Sequence, residues 1–141
     1  MENFGQIGIA ASLALAAVGS AMGAGAAGMS AVGAWKKCFA QNRPAPFMLV
    51  AFVGAPLTQT IYGMILMNAM RASSNEMQLG AGVLGGTAMG VSALFQGKAG
   101  ASASDALGET GKGFANYIIV LGLIETVALF VMVFLLGVIG A

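Results

Sequence analysis

The chain has 141 residues, 58% of them hydrophobic and only 8% charged, with a mean hydropathy of +0.88. Soluble domains run at about a quarter charged residues, so six Lys and Arg with five Asp and Glu are too few to solvate a water-soluble surface of this size. The near-neutral balance leaves no basic face for nucleic acid. The absence of His and the single Cys38 exclude His-based catalysis, zinc clusters and an intrachain disulfide. The composition is that of an integral, multi-pass membrane protein in contact with the lipid bilayer.

The charges fall in clusters, and the gaps between them predict four membrane-spanning helices. A span needs about 20 mostly apolar residues at ~1.5 Å each. The first gap runs from Glu2 to Lys36 and predicts a helix over 5–35. Glu2 stands where a secretion signal has its positive region, and the apolar run is too long, so this stretch reads as a span. It is rich in Ala and carries Gly5, Gly8, Gly19, Gly23, Gly25, Gly28 and Gly33. Small residues at four-residue spacing let helix backbones approach closely in lipid. A short connection over 36–44 follows, with Lys36, Lys37 and Arg43.

The second predicted helix covers 45–70. Pro56 interrupts it, removing one backbone N–H and displacing the carbonyl four residues back. Carbonyls freed beside a cavity can coordinate ions, although a simple bend in the helix explains the proline as well. Thr58, Gln59 and Tyr62 follow at once; Thr58 and Tyr62 share a face, and Gln59 lies 100° round from Thr58. The connection over 71–76 carries Arg71 as its one cation.

The third predicted helix, 77–103, is again glycine-rich, with the ladder Gly82, Gly86 and Gly90 and with Gln96 about two turns before its end. The connection 104–112 leads into the fourth, 113–140, which is rich in Leu, Ile, Val and Phe. Glu125 lies eleven residues beyond Phe114, ~16 Å along the axis and close to mid-bilayer. A carboxylate at that depth costs about 2.5–3.5 kcal/mol on insertion scales and marks a functional site by default. No Lys or Arg of the chain reaches that level, so the charge must be relieved by a proton, a bound cation or another subunit.

The two halves resemble each other. Gly19-Ser20-Ala21-Met22-Gly23 recurs as Gly86-Thr87-Ala88-Met89-Gly90, and Leu57-Thr58-Gln59-Thr60-Ile61 as Leu123-Ile124-Glu125-Thr126-Val127, in the same order and nearly the same register. The fold class expected is therefore all-α, two duplicated helical hairpins over 1–70 and 77–141. The thin helices 1 and 3 would form the inside of a homo-oligomeric ring, and the bulky helices 2 and 4 its outside. Loops 36–44 and 104–112 carry five of the six Lys and Arg, if Lys98 at the end of helix 3 is counted with the latter. This places them in the cytoplasm and the termini outside.

Glu125, Gln59, Gln96, Thr58 and Tyr62 together offer a carboxylate, two amide oxygens and two hydroxyls. These are hard oxygen donors, which suit hard cations. A proton carrier would need only the carboxyl and one acceptor, so the surplus oxygens favour Na+, with H+ as the alternative. A stand-alone four-helix proton-coupled transporter would call for a second charged or aromatic substrate site, which is not evident. A passive pore would call for a continuous polar stripe along one helix, which is also lacking.

The two hairpins, the glycine-rich first and third helices and the lone acidic residue of helix 4 resemble the proteolipid of the rotor ring (the c or K subunit) of V-type, vacuolar/archaeal-type ATPases over essentially the whole chain. Pro56, Thr58, Gln59 and Tyr62, with Gln96 ahead of Glu125, are similar to the motif of its sodium-binding members. The resemblance implies that Glu125, Gln96, Gln59 and Thr58 bind Na+ through side-chain oxygens, joined by the backbone carbonyl of Ala55. Position 55 departs from the larger aliphatic familiar there, but only its carbonyl would be used. Tyr62 would hydrogen-bond Glu125 and lock the occupied site. Also implied are a ring of identical subunits, a membrane stator subunit with an essential Arg, and central-stalk rotor subunits. The setting implied is a bacterial or archaeal plasma membrane. The chain itself would be non-catalytic, since it has no P-loop and ATP hydrolysis would belong to other subunits.

Overall fold

The computed structural model describes residues 2–73 and 76–140, and these form helices joined by short turns. They are α1 (Glu2–Ala40), α2 (Leu49–Gly54), a 3-10 turn (Ala55–Leu57), α3 (Thr58–Ala72), α4 (Gln78–Thr110) and α5 (Phe114–Ile139). The segment from Leu49 to Ala72 counts as one span interrupted at its middle by the 3-10 turn, so four helical rods are long and apolar enough to cross a membrane. Pro56 explains the interruption. Its ring displaces the carbonyl four residues back, and the chain tightens into one 3-10 turn before regaining α geometry at Thr58.

The second helix begins at Leu49 rather than 45, and two other boundaries differ more from expectation. The helix expected to end near residue 35 continues to Ala40, and the one expected to end near 103 continues to Thr110. Most of the connection 104–112 is thus helix, the first connection begins only at Gln41, and Gln96 lies about four turns from the end of its helix. The reason is packing. Charged residues end the hydrophobic run without ending the helix, because the seam of α1 and α4 continues past it. Ala34, Cys38, Ala103, Leu107 and Gly108 stay buried, while Lys37 pairs on the surface with Asp105 at 3.0 Å and Glu109 at 3.8 Å. At ~1.5 Å per residue the 39 residues of α1 and 33 of α4 reach ~58 and ~50 Å, well beyond a ~30 Å hydrocarbon core.

What does end α4 is Gly111, whose φ of 66° is left-handed, followed by Gly113 at 94° ahead of α5. Arg43 reaches across from the first connection and donates to the carbonyls of Gly108 and Glu109, both at 3.3 Å. A cation at these last, unpaired carbonyls also complements the helix dipole. Trp35 ties the same connection down by donating to the Pro46 carbonyl at 2.8 Å.

The core of the molecule is a seam between α1 and α4, in which backbone lies against backbone. A Cβ on Gly82 would overlap the backbone of Gly8, one on Gly19 the backbone of Gly90, and one on Gly97 the backbone of Gly23. Glycine is the only residue that permits such an approach, and close backbone packing is the main attraction available to helices in lipid. The bulky span α5 lies against α4 and α3 and leaves Leu123, Phe130 and Phe134 exposed at 65%, 58% and 71%. The expected division of labour between thin and bulky helices is visible within the single chain.

Candidate functional site

The polar residues of the middle of the bundle come together where α3, α4 and α5 meet. Each element delivers its share for a local reason. The 3-10 turn at Ala55–Leu57 sets the start of α3, so that Thr58, Gln59 and Tyr62 face inward toward α4 and α5. On α4 Gln96 is fully buried and donates to the Leu121 carbonyl of α5 at 3.0 Å. On α5 Glu125 is partly buried near the centre of a 26-residue helix.

Both oxygens of Glu125 receive a donor. The Tyr62 hydroxyl donates to Oε1 at 2.8 Å, and Gln96 Nε2 donates to Oε2 at 3.1 Å. Among the described residues the ion pairs are those of Lys37 at the far end of α1, and Glu125 takes part in none. Hydrogen bonds to a charged partner contribute about 1.5–3 kcal/mol each, so the two together are comparable with the insertion cost of about 2.5–3.5 kcal/mol.

Behind the carboxylate lies a chain of amides and hydroxyls. Gln96 Nε2 also donates to the carbonyl of Leu121 at 3.0 Å, and its Oε1 accepts from Gln59 Nε2 at 2.9 Å. Gln59 Nε2 donates as well to Ser92 Oγ at 3.3 Å, and the Ser92 hydroxyl donates to the Ile124 carbonyl at 2.9 Å. At the other end, Thr58 Oγ1 lies 2.9 Å from the Ala55 carbonyl and 3.0 Å from Gln59 Oε1, two acceptors for its one proton. Gln59 and Gln96 are both 0% exposed, so neither amide can look to water for a partner. Leaving such a group unpaired costs about 1–3 kcal/mol, and each member of the network therefore depends on the next.

The six residues expected at the site are thus brought to one place. Tyr62, Gln96 and Gln59 link directly or through one neighbour to Glu125, Thr58 joins through Gln59, and the Ala55 carbonyl joins through Thr58. Ser92 was not among them. It sits one turn before Gln96 on the same face of α4, and that spacing was the available signal. Among the described residues no group of three His, Cys, Asp or Glu side chains comes together. The atoms at hand are one carboxylate, two carboxamide oxygens, hydroxyls and a helix carbonyl, a donor set for a hard monovalent cation or a proton. A groove of about 480 Å³ between α4 and α5, lined by Leu84, Phe130 and Phe134 among others, is apolar and separate from these groups.

No curated protein matches the chain. Residues 79–137, the hairpin of α4 and α5 that carries Gln96 and Glu125, match the family model of the ATP synthase C subunit. That family consists of ring-forming helical hairpins that move ions across a membrane without catalysing a reaction themselves. The second hairpin of this integral membrane protein is accordingly similar to the ATP synthase C subunit, a non-catalytic, ion-translocating component of a rotor ring.

Proposed function

We propose that the chain is the proteolipid of the rotor ring of a V-type ATPase and that its cargo is Na+. The observation that carries this reading is the oxygen cluster around Glu125. A carboxyl that only carried a proton would need one acceptor, yet behind Gln96, which touches it, Gln59, Thr58 and the Ala55 carbonyl follow in one hydrogen-bonded chain. On binding Na+, the glutamine oxygens and the Thr58 hydroxyl would turn toward the ion with Glu125. Tyr62 would stay on the carboxylate from outside the ligand set.

The consequence for transport is charge switching. Occupied, the site is neutral and can pass the lipid as the ring turns. Empty, Glu125 is an anion that the bilayer excludes at a cost of several kcal/mol, about 2.5–3.5 on insertion scales. It must then sit beside a cation supplied by a stator subunit, such as an Arg. Copies of the chain would close a ring with α1 and α4 inside and with the α2–α3 span and α5 outside. The stretches around Lys36, Lys37, Arg43 and Lys112 would face the cytoplasm and the central stalk.

Equilibrium binding of 22Na+ to the purified, detergent-solubilised oligomer tests the reading. The expected result is one Na+ per chain, lost in Glu125→Gln and weakened about tenfold or more in Gln96→Ala, the weight of a ligand lost with its hydrogen bonds. Absence of Na+ binding to the unmodified oligomer at millimolar concentrations would instead point to a ring that carries H+.

A further inference from the structure

The structure assigns Ser92 as the residue that sets the orientation of the Gln59 carboxamide, and through it the cation affinity of the site. The proposal rests on the sodium reading and adds to it a residue that is not itself a ligand.

A carboxamide presents nearly the same shape either way round, and only its neighbours decide which end points where. For Gln59 to be useful to a cation, Oε1 must face Thr58 and the Ala55 carbonyl, and the amide nitrogen must face away. Two groups contact that nitrogen, Gln96 Oε1 at 2.9 Å and Ser92 Oγ at 3.3 Å. They are not equivalent. Gln96 Oε1 is one of the oxygens that a bound cation would take, so its hold on Gln59 weakens when the site fills. Ser92 is not in the ligand set, and its contact with Gln59 persists whether or not the ion is present.

The polarity of Ser92 is itself fixed. Its hydroxyl proton is committed to the Ile124 carbonyl, an acceptor that cannot donate in return. Toward Gln59 it can therefore offer only a lone pair. Turning the Gln59 amide over would set Oε1 against an oxygen with no proton to give. Ser92 is only 5% exposed, which leaves it no water through which to relax that conflict. The order runs from the backbone of α5 through Ser92 to Gln59, so the helix bearing Glu125 also aims the amide of the helix opposite.

Three substitutions separate this role from simple packing, each read as the Kd for 22Na+ on the assembled, purified oligomer. Ser92→Ala removes the acceptor, Ser92→Cys keeps the size but accepts poorly, and Ser92→Thr keeps the hydroxyl. The first two are expected to raise Kd about three- to tenfold, the weight of one neutral hydrogen bond, and Ser92→Thr to stay within about twofold. Reaction of Glu125 with a hydrophobic carbodiimide in Na+-free buffer, at one pH, is expected to be equal in all four proteins because Ser92 does not touch the carboxylate. Unchanged Kd in both Ser92→Ala and Ser92→Cys overturns the proposal, as does an equal loss in all three variants, which would mark a packing effect. If the unmodified oligomer binds no Na+, it is the sodium reading that fails, and this extension falls with it.

Discussion

The seam between α1 and α4 and the polar junction of α3, α4 and α5 share a helix and solve opposite problems. At the seam, glycines remove side chains so that backbone meets backbone. At the junction, long side chains hold the helices apart and bond through rotatable amides, hydroxyls and a carboxylate. The first arrangement is rigid because it offers no alternative packing. The second is held in one geometry by reciprocal hydrogen bonds and can exchange them for a bound ion. The rotating carrier proposed here needs both, a frame that does not yield and a site that does, and α4 presents one to each side.

The comparison can be broken most severely at the seam. In Gly97→Leu the new side chain would start inside the backbone of Gly23, a conflict that no rotamer relieves. Overpacking a tolerant core costs about 1–3 kcal/mol, and a backbone overlap exceeds that range. The expected outcome is loss of the assembled oligomer from detergent extracts, read by size-exclusion chromatography. Recovery at the normal level would show that the seam is not what holds the chain together.

Glu125→Gln strikes the junction and should leave the seam alone. The oligomer is expected to form in normal yield, while ion transport in reconstituted vesicles falls to background. Residual transport would mean that the carboxylate is not the carrier.

A smaller effect is expected for Tyr62→Phe, which removes the 2.8 Å hydrogen bond to Oε1 and leaves every proposed ligand in place. One hydrogen bond to a charged group corresponds to about 1.5–3 kcal/mol, so Na+ release measured by stopped flow should quicken by about tenfold or more. An unchanged rate would show that the hydroxyl does not retain the ion.

Least of all is expected of Lys37→Ala. Its partners Asp105 and Glu109 are exposed, and exposed ion pairs contribute little. The melting temperature of the oligomer should not move measurably, and a clear fall would mean that the helix ends beyond the bilayer carry more of the stability than the seam.

Much of this is legible in the order of the residues, for reasons that the bilayer supplies. Hydrocarbon penalises every stray charge, so Glu125 stands out as soon as the spans are drawn, and helical spacing puts Thr58 and Tyr62 on one face. Lipid also rewards small residues where helices meet, which makes Gly19, Gly23, Gly82, Gly86 and Gly90 readable as contact positions. The ends of α1 and α4 are not legible in the same way. Lys36, Lys37, Asp105 and Glu109 read as loop because charge ends a hydrophobic run, but whether a helix continues into water depends on what packs across the pair, here Ala34 and Cys38 against Gly108. Nor can residue order alone reveal Arg43 at the end of α4, or which way round the Gln59 amide stands. Those depend on atoms brought close only by folding, and Ser92 escapes notice because one serine in a small-residue helix looks like packing.

The central claim, that Glu125 carries Na+, is most directly tested with a hydrophobic carbodiimide, which reacts with a protonated carboxyl in an apolar setting. The purified oligomer would be labelled with millimolar Na+, with K+ or with neither, across a range of pH, and the adduct located by mass spectrometry. The account predicts an adduct on Glu125 that Na+ suppresses and K+ does not, with more Na+ required as pH falls and protons compete. Labelling of Glu125 that is indifferent to Na+ at every pH would contradict it and leave a carboxyl that carries protons.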